Sequence, residues 1–171
     1  MKFSHHLSIT LIGLGHVAAH SAPIVDAFQN LTEHLRAFSV ATLALPSTND
    51  ESPKIDAILQ ESEVLTSFST AIHKVTFWPG PVPAAQVEGI LPAFAKLGTA
   101  IAEHVELLDP FEDYVYGSIT RHKYLASQLS NILVTIISTS NSSVLQEADF
   151  ESVLIGPFQE IMDVYWPLKH A

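Results

Sequence analysis

The chain has 171 residues, 47% apolar and only 15% charged, with 8 Lys+Arg against 18 Asp+Glu for a formal net charge of −10 and no cysteine. A single domain of this length can hold a full core without staples. Without cysteine it forms no disulfide, thiol nucleophile, thiolate metal site or iron–sulfur cluster, and the acidic balance argues against a nucleic-acid partner, which takes a basic patch.

The N-terminus reads as a leader. After Met1-Lys2 no acidic or basic side chain other than histidine appears until Asp26, and Leu7–Ala19 is an apolar run within the length of a signal-peptide core. The run is shorter than the ~20 residues of a membrane span. Ala19-His20-Ser21 offers small residues at the positions a signal peptidase reads, so residues 1–21 are expected to be removed and 22–171 to form the domain. The mature chain is then expected to be extracellular, without a transmembrane segment. It keeps 7 Lys+Arg against 18 Asp+Glu, a net of −11. Sequons at Asn30 and Asn141 are candidate glycosylation sites, the second in the polar run 138–143.

Apolar residues then recur at three- and four-residue steps in five segments, which predicts a single all-α bundle of about five amphipathic helices. The first uses Ile24, Phe28, Leu31, Leu35 and Phe38. Ser52-Pro53 caps and opens the second, whose apolar residues are Ile55, Ile58, Leu59, Leu65, Phe68, Ile72 and Val75. Trp78–Pro83, with three prolines, ends it. The third carries Ile90, Leu91, Phe94, Leu97, Ile101 and Val105. Asp109-Pro110 starts the fourth, which uses Phe111, Val115, Ile119, Leu125, Leu129, Ile132, Leu133 and Ile136 and is open to a bend at Gly117 or at 121–123. The last begins near Glu147 with Phe150, Val153, Leu154, Phe158, Ile161, Met162 and Tyr165, and Gly156-Pro157 predicts a kink in it.

Signatures of chemistry are absent. The chain has no phosphate loop, dinucleotide fingerprint or nucleophile elbow. Of His34, His73, His104, His122 and His170, no two stand at i,i+3 or i,i+4, so no helix offers a histidine pair to a metal, and exposed or singly bonded rings are expected. The acids Glu61/Glu63, Glu103/Glu106 and Asp109/Glu112/Asp113 read as solvated faces or first-turn acids. No catalytic residue, metal or cofactor is therefore assigned. Apolar content beyond a plain core stands out instead, above all the run Ile132–Ile137, apolar nearly all round.

The segments Ile24–Phe28, Val87–Leu97 and Phe158–Tyr165, in a cysteine-free chain of this size behind a leader, resemble the helices of the fungal hydrophobic surface-binding protein A and antigenic cell-wall galactomannoprotein family. The Trp78–Pro83 loop, the Asp109-Pro110 break and Gly156-Pro157 depart from that pattern. The resemblance implies a secreted or wall-associated bundle that either holds a fatty acid or coats hydrophobic surfaces, with no catalytic residues. In the first case the apolar lining would be Leu59, Phe68, Phe94, Ile101, Leu129, Ile132, Phe158 and Met162, with Ser127, Gln128 and Ser130 at the head group. In the second, amphipathic helices meet an apolar interface and no ligand is needed.

Overall fold

A computed structural model describes the backbone of residues 4–45, 52–80, 82–107, 113–138 and 149–169, and the side chains of 23–45, 52–80, 82–83, 86–107, 116–137 and 149–164. Within these bounds the chain is helical: α1 (Ser4–Leu43), α2 (Ser52–Thr76), α3 (Ala84–Leu107), α4 (Asp113–Ser138) and α5 (Phe150–Lys169). No strand occurs among the described residues. The all-α bundle expected from the apolar period is the fold.

The helices close into a ring, in the order α1–α3–α5–α4–α2 and back to α1. Contacts along the seams fix the directions. Phe28 meets Phe94 and Arg36 meets Glu103, so α1 and α3 run parallel; Phe94 meets Phe150, so α5 starts beside the first half of α3. Glu61 meets Arg121, placing the early turns of α2 and α4 together. Consequently α1, α3 and α5 end where α2 and α4 begin.

The apolar steps of α1 and α3 place their side chains as expected. Ile24, Phe28, Leu31, Leu35 and Phe38 expose nothing, as do Leu97 and Ile101. Asp149 caps α5, its carboxylate accepting from Ser152 N–H at 2.9 Å and its carbonyl from Val153 N–H. In the α2–α3 connection Gly80 takes φ +89°, a left-handed value that a side chain would strain, and Val82 N–H donates to Ile136 C=O to tie the turn to α4.

Several expectations change. The stripe that α2 buries is Ala57, Glu61, Val64, Phe68, Ala71 and Val75. Ile55, Ile58 and Leu59 lie off that stripe and are 57%, 54% and 59% exposed, so they are surface and not core. Helix α4 runs unbroken through Gly117 and 121–123, and it is one side of the ring, not its centre: Leu133 and Ile137 are buried while Val134 is exposed. Helix α5 begins at Phe150, slightly later than expected, and continues through Gly156-Pro157 without a break. The whole of residues 109–112, with the expected Asp109-Pro110 start and Phe111, and the whole of Asn141 lie outside the described residues, as do the side chains of Asp113, Val115 and Tyr165. Residues 4–21, expected to be a leader, continue the helix of 24–43 backwards, with Pro23 inside α1.

Where α3 and α5 approach most closely, Gly98 faces Val153. A Cβ on Gly98 would collide with Val153 Cγ1. Alanine normally stabilises a helix interior by about 1 kcal/mol over glycine, but overpacking costs about 1–3 kcal/mol. Gly98→Ala is therefore expected to lower the thermal midpoint, and Val153→Ala in the same chain to restore it; urea titration of the two single variants and the double variant checks this.

Candidate functional site

At the level where Arg36 meets Glu103, four rings from four helices fill the middle of the bundle. Phe38 of α1 lies 5.3 Å from His104 of α3 and 5.5 Å from His122 of α4, centroid to centroid. Phe68 of α2 lies 6.1 Å from His122, and the two imidazoles are 5.5 Å apart. All four are fully buried. The i,i+4 criterion has no access to this pair, because its members sit on helices that do not share a seam.

Hydrogen-bond bookkeeping orients His104. Ser39 Oγ donates to the Leu35 carbonyl at 2.8 Å and lies 2.7 Å from His104 Nδ1. With the hydroxyl proton committed to Leu35, His104 Nδ1–H donates to Ser39 and Nε2 keeps the lone pair. That Nε2, and both ring nitrogens of His122, are buried without a protein partner. His104 is thus singly bonded as expected; His122 departs from the expectation, being neither exposed nor bonded. The Ser39–His104 contact is not a nucleophile and its base. Both groups are buried, and the serine oxygen has the Leu35 carbonyl within hydrogen-bond distance as well as the imidazole.

Beside the rings Arg121 Nε donates to Glu61 Oε1 at 2.9 Å, and Nη2 reaches the Ser118 hydroxyl. Glu61 is buried in the core stripe of α2, a correction to its reading as a solvated acid. Its partner on α4 explains how it is tolerated, since a buried carboxylate left unpaired is costly.

The eight residues expected to line a fatty-acid site do not converge on one space. Phe68, Ile101, Leu129 and Phe158 are fully buried against one another's neighbours, and Phe94 is 4% exposed. A surface with no exposure borders no space large enough for water, so the bundle's own side chains occupy the interior at those positions. Ile132 and Met162 are half-buried at the edge of the core, and Leu59 faces solvent. Of the polar candidates Ser130 is buried, Ser127 is half-buried, and Gln128 donates to the Tyr124 hydroxyl at 2.8 Å on its own helix. Asn30 is exposed on α1.

The outer surface carries what the interior lacks. Val40 and Leu43 of α1, Ile55, Ile58 and Leu59 of α2, Leu107 of α3 and Val164 of α5 are all 45% exposed or more. These seven, of the ten large apolar side chains exposed among the described residues, belong to the end of the bundle where α1, α3 and α5 finish; Phe77, Tyr124 and Val134 lie elsewhere. A hollow of about 550 Å³ also runs along the α3–α5 seam beside Gly98 and Val153. No helix among the described residues is long and apolar enough to cross a membrane, and no group of three or more metal-ligating side chains occurs among them.

Burial holds both imidazoles neutral. Desolvation lowers His104 from 6.5 to about 3, helped by His122, and lowers His122 to about 3, helped by the Arg121 charge. Between pH 3 and 6.5 the unfolded chain therefore binds more protons than the folded one, and stability rises with pH across that window and levels off above it. Each histidine contributes a slope of about 1.4 kcal/mol per pH unit. His122→Phe is expected to halve the fall in unfolding free energy between pH 6 and pH 4, measured by urea titration; an unchanged fall would place the protonation elsewhere.

No family model, no curated protein and no solved structure matches the chain.

Proposed function

We propose that this chain is a non-enzymatic extracellular bundle that binds apolar surfaces through the end of its helix ring. The observation that carries this reading is the gathering of Val40, Leu43, Ile55, Ile58, Leu59, Leu107 and Val164 at one end. Exposed apolar side chains scattered singly need no explanation, whereas a grouped set marks a contact surface. The low charge content of 15% leaves few ionic groups to keep such a face wet. Secretion rests on the leader, and Pro23 adds to it. Proline is poorly placed inside a 40-residue helix, but removal of residues 1–21 puts it in the first turn, where its missing N–H costs nothing. The resemblance to the hydrophobic surface-binding and galactomannoprotein family points the same way, including retention in a cell wall and glycosylation at Asn30 or Asn141.

A fatty acid held inside the ring is the second reading, and the orphaned nitrogens of His104 and His122 favour it, because buried polar atoms ordinarily have partners. A ligand there would have to displace core side chains. Native mass spectrometry of gently purified protein, with melting curves in palmitate and arachidonate, tests it: a retained lipid and a raised midpoint are its expected results.

The surface reading is tested by retention on polystyrene or octyl-coated beads. Retention should survive salt and fail in detergent. Joint replacement of Ile55, Ile58 and Leu59 by serine removes three large apolar side chains, each contributing about 1.5–3 kcal/mol when buried. It is expected to weaken adsorption at least about 100-fold with the melting midpoint little changed, because none of the three is in the core. Unaltered adsorption by this variant would refute the assignment of the face.

A further inference from the structure

The α3–α5 seam carries a groove with two different halves. In the first, of about 550 Å³, the walls are apolar or small, with Phe94, Gly98 and Val153 among them. In the second, of about 360 Å³, the lining combines Val105 and Ile161 with the exposed Glu106 of α3 and Glu160 of α5. The halves share Ala102 and Pro157 and so adjoin along the seam. From Phe94 to Glu106 the helix rise gives roughly 18 Å of length, which suits a single alkyl chain with its head group.

The charge along the groove is one-sided. Among the described residues no lysine or arginine lines either half, and neither Glu106 nor Glu160 takes part in an ion pair. Their neighbours on the same helices are already engaged: Glu103 with Arg36, and Gln159 with Lys123 and Asp163. An anionic head group would meet two carboxylates on a chain of net charge −10. A cationic one would find two partners and an apolar trough leading away from them.

We propose that the α3–α5 groove binds a single-chain amphiphile with a cationic head group, the alkyl chain against Phe94, Gly98 and Val153 and the ammonium between Glu106 and Glu160. The proposal rests on the reading of this protein as a binder of apolar matter and names a ligand class for it. It also places the site on the flank of the ring, away from the apolar end. Gly98 lets α3 and α5 touch at Val153, and the space that would take the alkyl chain lies beside that contact.

Titration calorimetry below the micelle threshold, with dodecyltrimethylammonium, dodecyl maltoside and dodecanoate, tests the proposal. The cationic amphiphile is expected to bind once per chain, about tenfold more tightly than the maltoside, with dodecanoate weakest. Glu106→Gln with Glu160→Gln should erase the cationic preference while leaving maltoside binding in place. Glu33→Gln with Glu63→Gln changes the net charge equally on other faces and should preserve the preference. Thr99→Trp, on the exposed rim of the apolar half, should weaken all binding without touching the core. Equal affinity for the cationic and neutral amphiphiles, or a preference that survives the Glu106/Glu160 change, overturns the head-group assignment. Binding unaffected by Thr99→Trp overturns the location. If no amphiphile binds while the protein still adsorbs to beads, the groove fails and the surface reading stands.

Discussion

The contact of Phe38, Phe68, His104 and His122 joins two seams of the ring, α1–α3 and α2–α4, across its axis. Five helices packed in a ring leave space along the axis that no backbone reaches, and only long side chains from opposite sides can close it. Here α1 reaches α4 through Phe38 and His122, and α3 reaches α4 through the two imidazoles. Each such cross-ring contact ties two seams together. With no cysteine in the chain, packing of this kind is what prevents the ring from opening along any one seam.

That requirement explains which parts of the fold were legible in the sequence. Helices α1 and α3 each carry one strong apolar stripe, and the burial of Ile24 through Phe38 and of Leu97 and Ile101 follows from spacing alone. Helix α2 carries two competing stripes. The larger residues, Ile55, Ile58, Leu59 and Leu65, suggest one phase; the core takes the other, through Ala57, Glu61, Val64 and Phe68. Periodicity weights a glutamate against burial, and nothing local to α2 reveals that Arg121 on a distant helix neutralises it. The imidazole pair was hidden for the same reason: a motif rule inspects one helix, whereas this contact is made by the ring. Hence the fold could be read and the interior could not.

The face and the groove are two results of one distribution of bulk. Helix α2 commits small or medium side chains to much of its core stripe, leaving its isoleucines and Leu59 outside. Helix α3 turns Phe94, Leu97 and Ile101 inward, and presents Ala95, Gly98 and Ala102 towards α5. The helices on that seam touch at Gly98 and Val153, with unfilled space beside them. An apolar bundle that filled its seams with isoleucine and its axis with alanine would have an open centre and closed flanks. This one has the converse, which is why apolar partners are sought on its exterior.

Histidine at the axis carries a consequence that phenylalanine would not. As neutral rings His104 and His122 fill the same kind of space as Phe38 and Phe68, and Ser39 satisfies one of their four nitrogens. Of the charged groups at this level, Glu61 is already bonded to Arg121, and Arg36 and Glu103 pair with each other on the exposed side. Among the described residues of α1, α2, α3 and α4 no free carboxylate is thus placed to receive an imidazolium, and Arg121 opposes one on His122. Acid must therefore raise the free energy of the closed ring relative to any form in which these rings reach water. The apolar end begins less than a turn beyond Phe38 on α1, at Val40, and less than a turn beyond Glu61 on α2, at Leu59. The rings that close the bundle along its axis thus stand behind the end at which these apolar side chains are exposed, so acid that loosens the first disturbs the footing of the second.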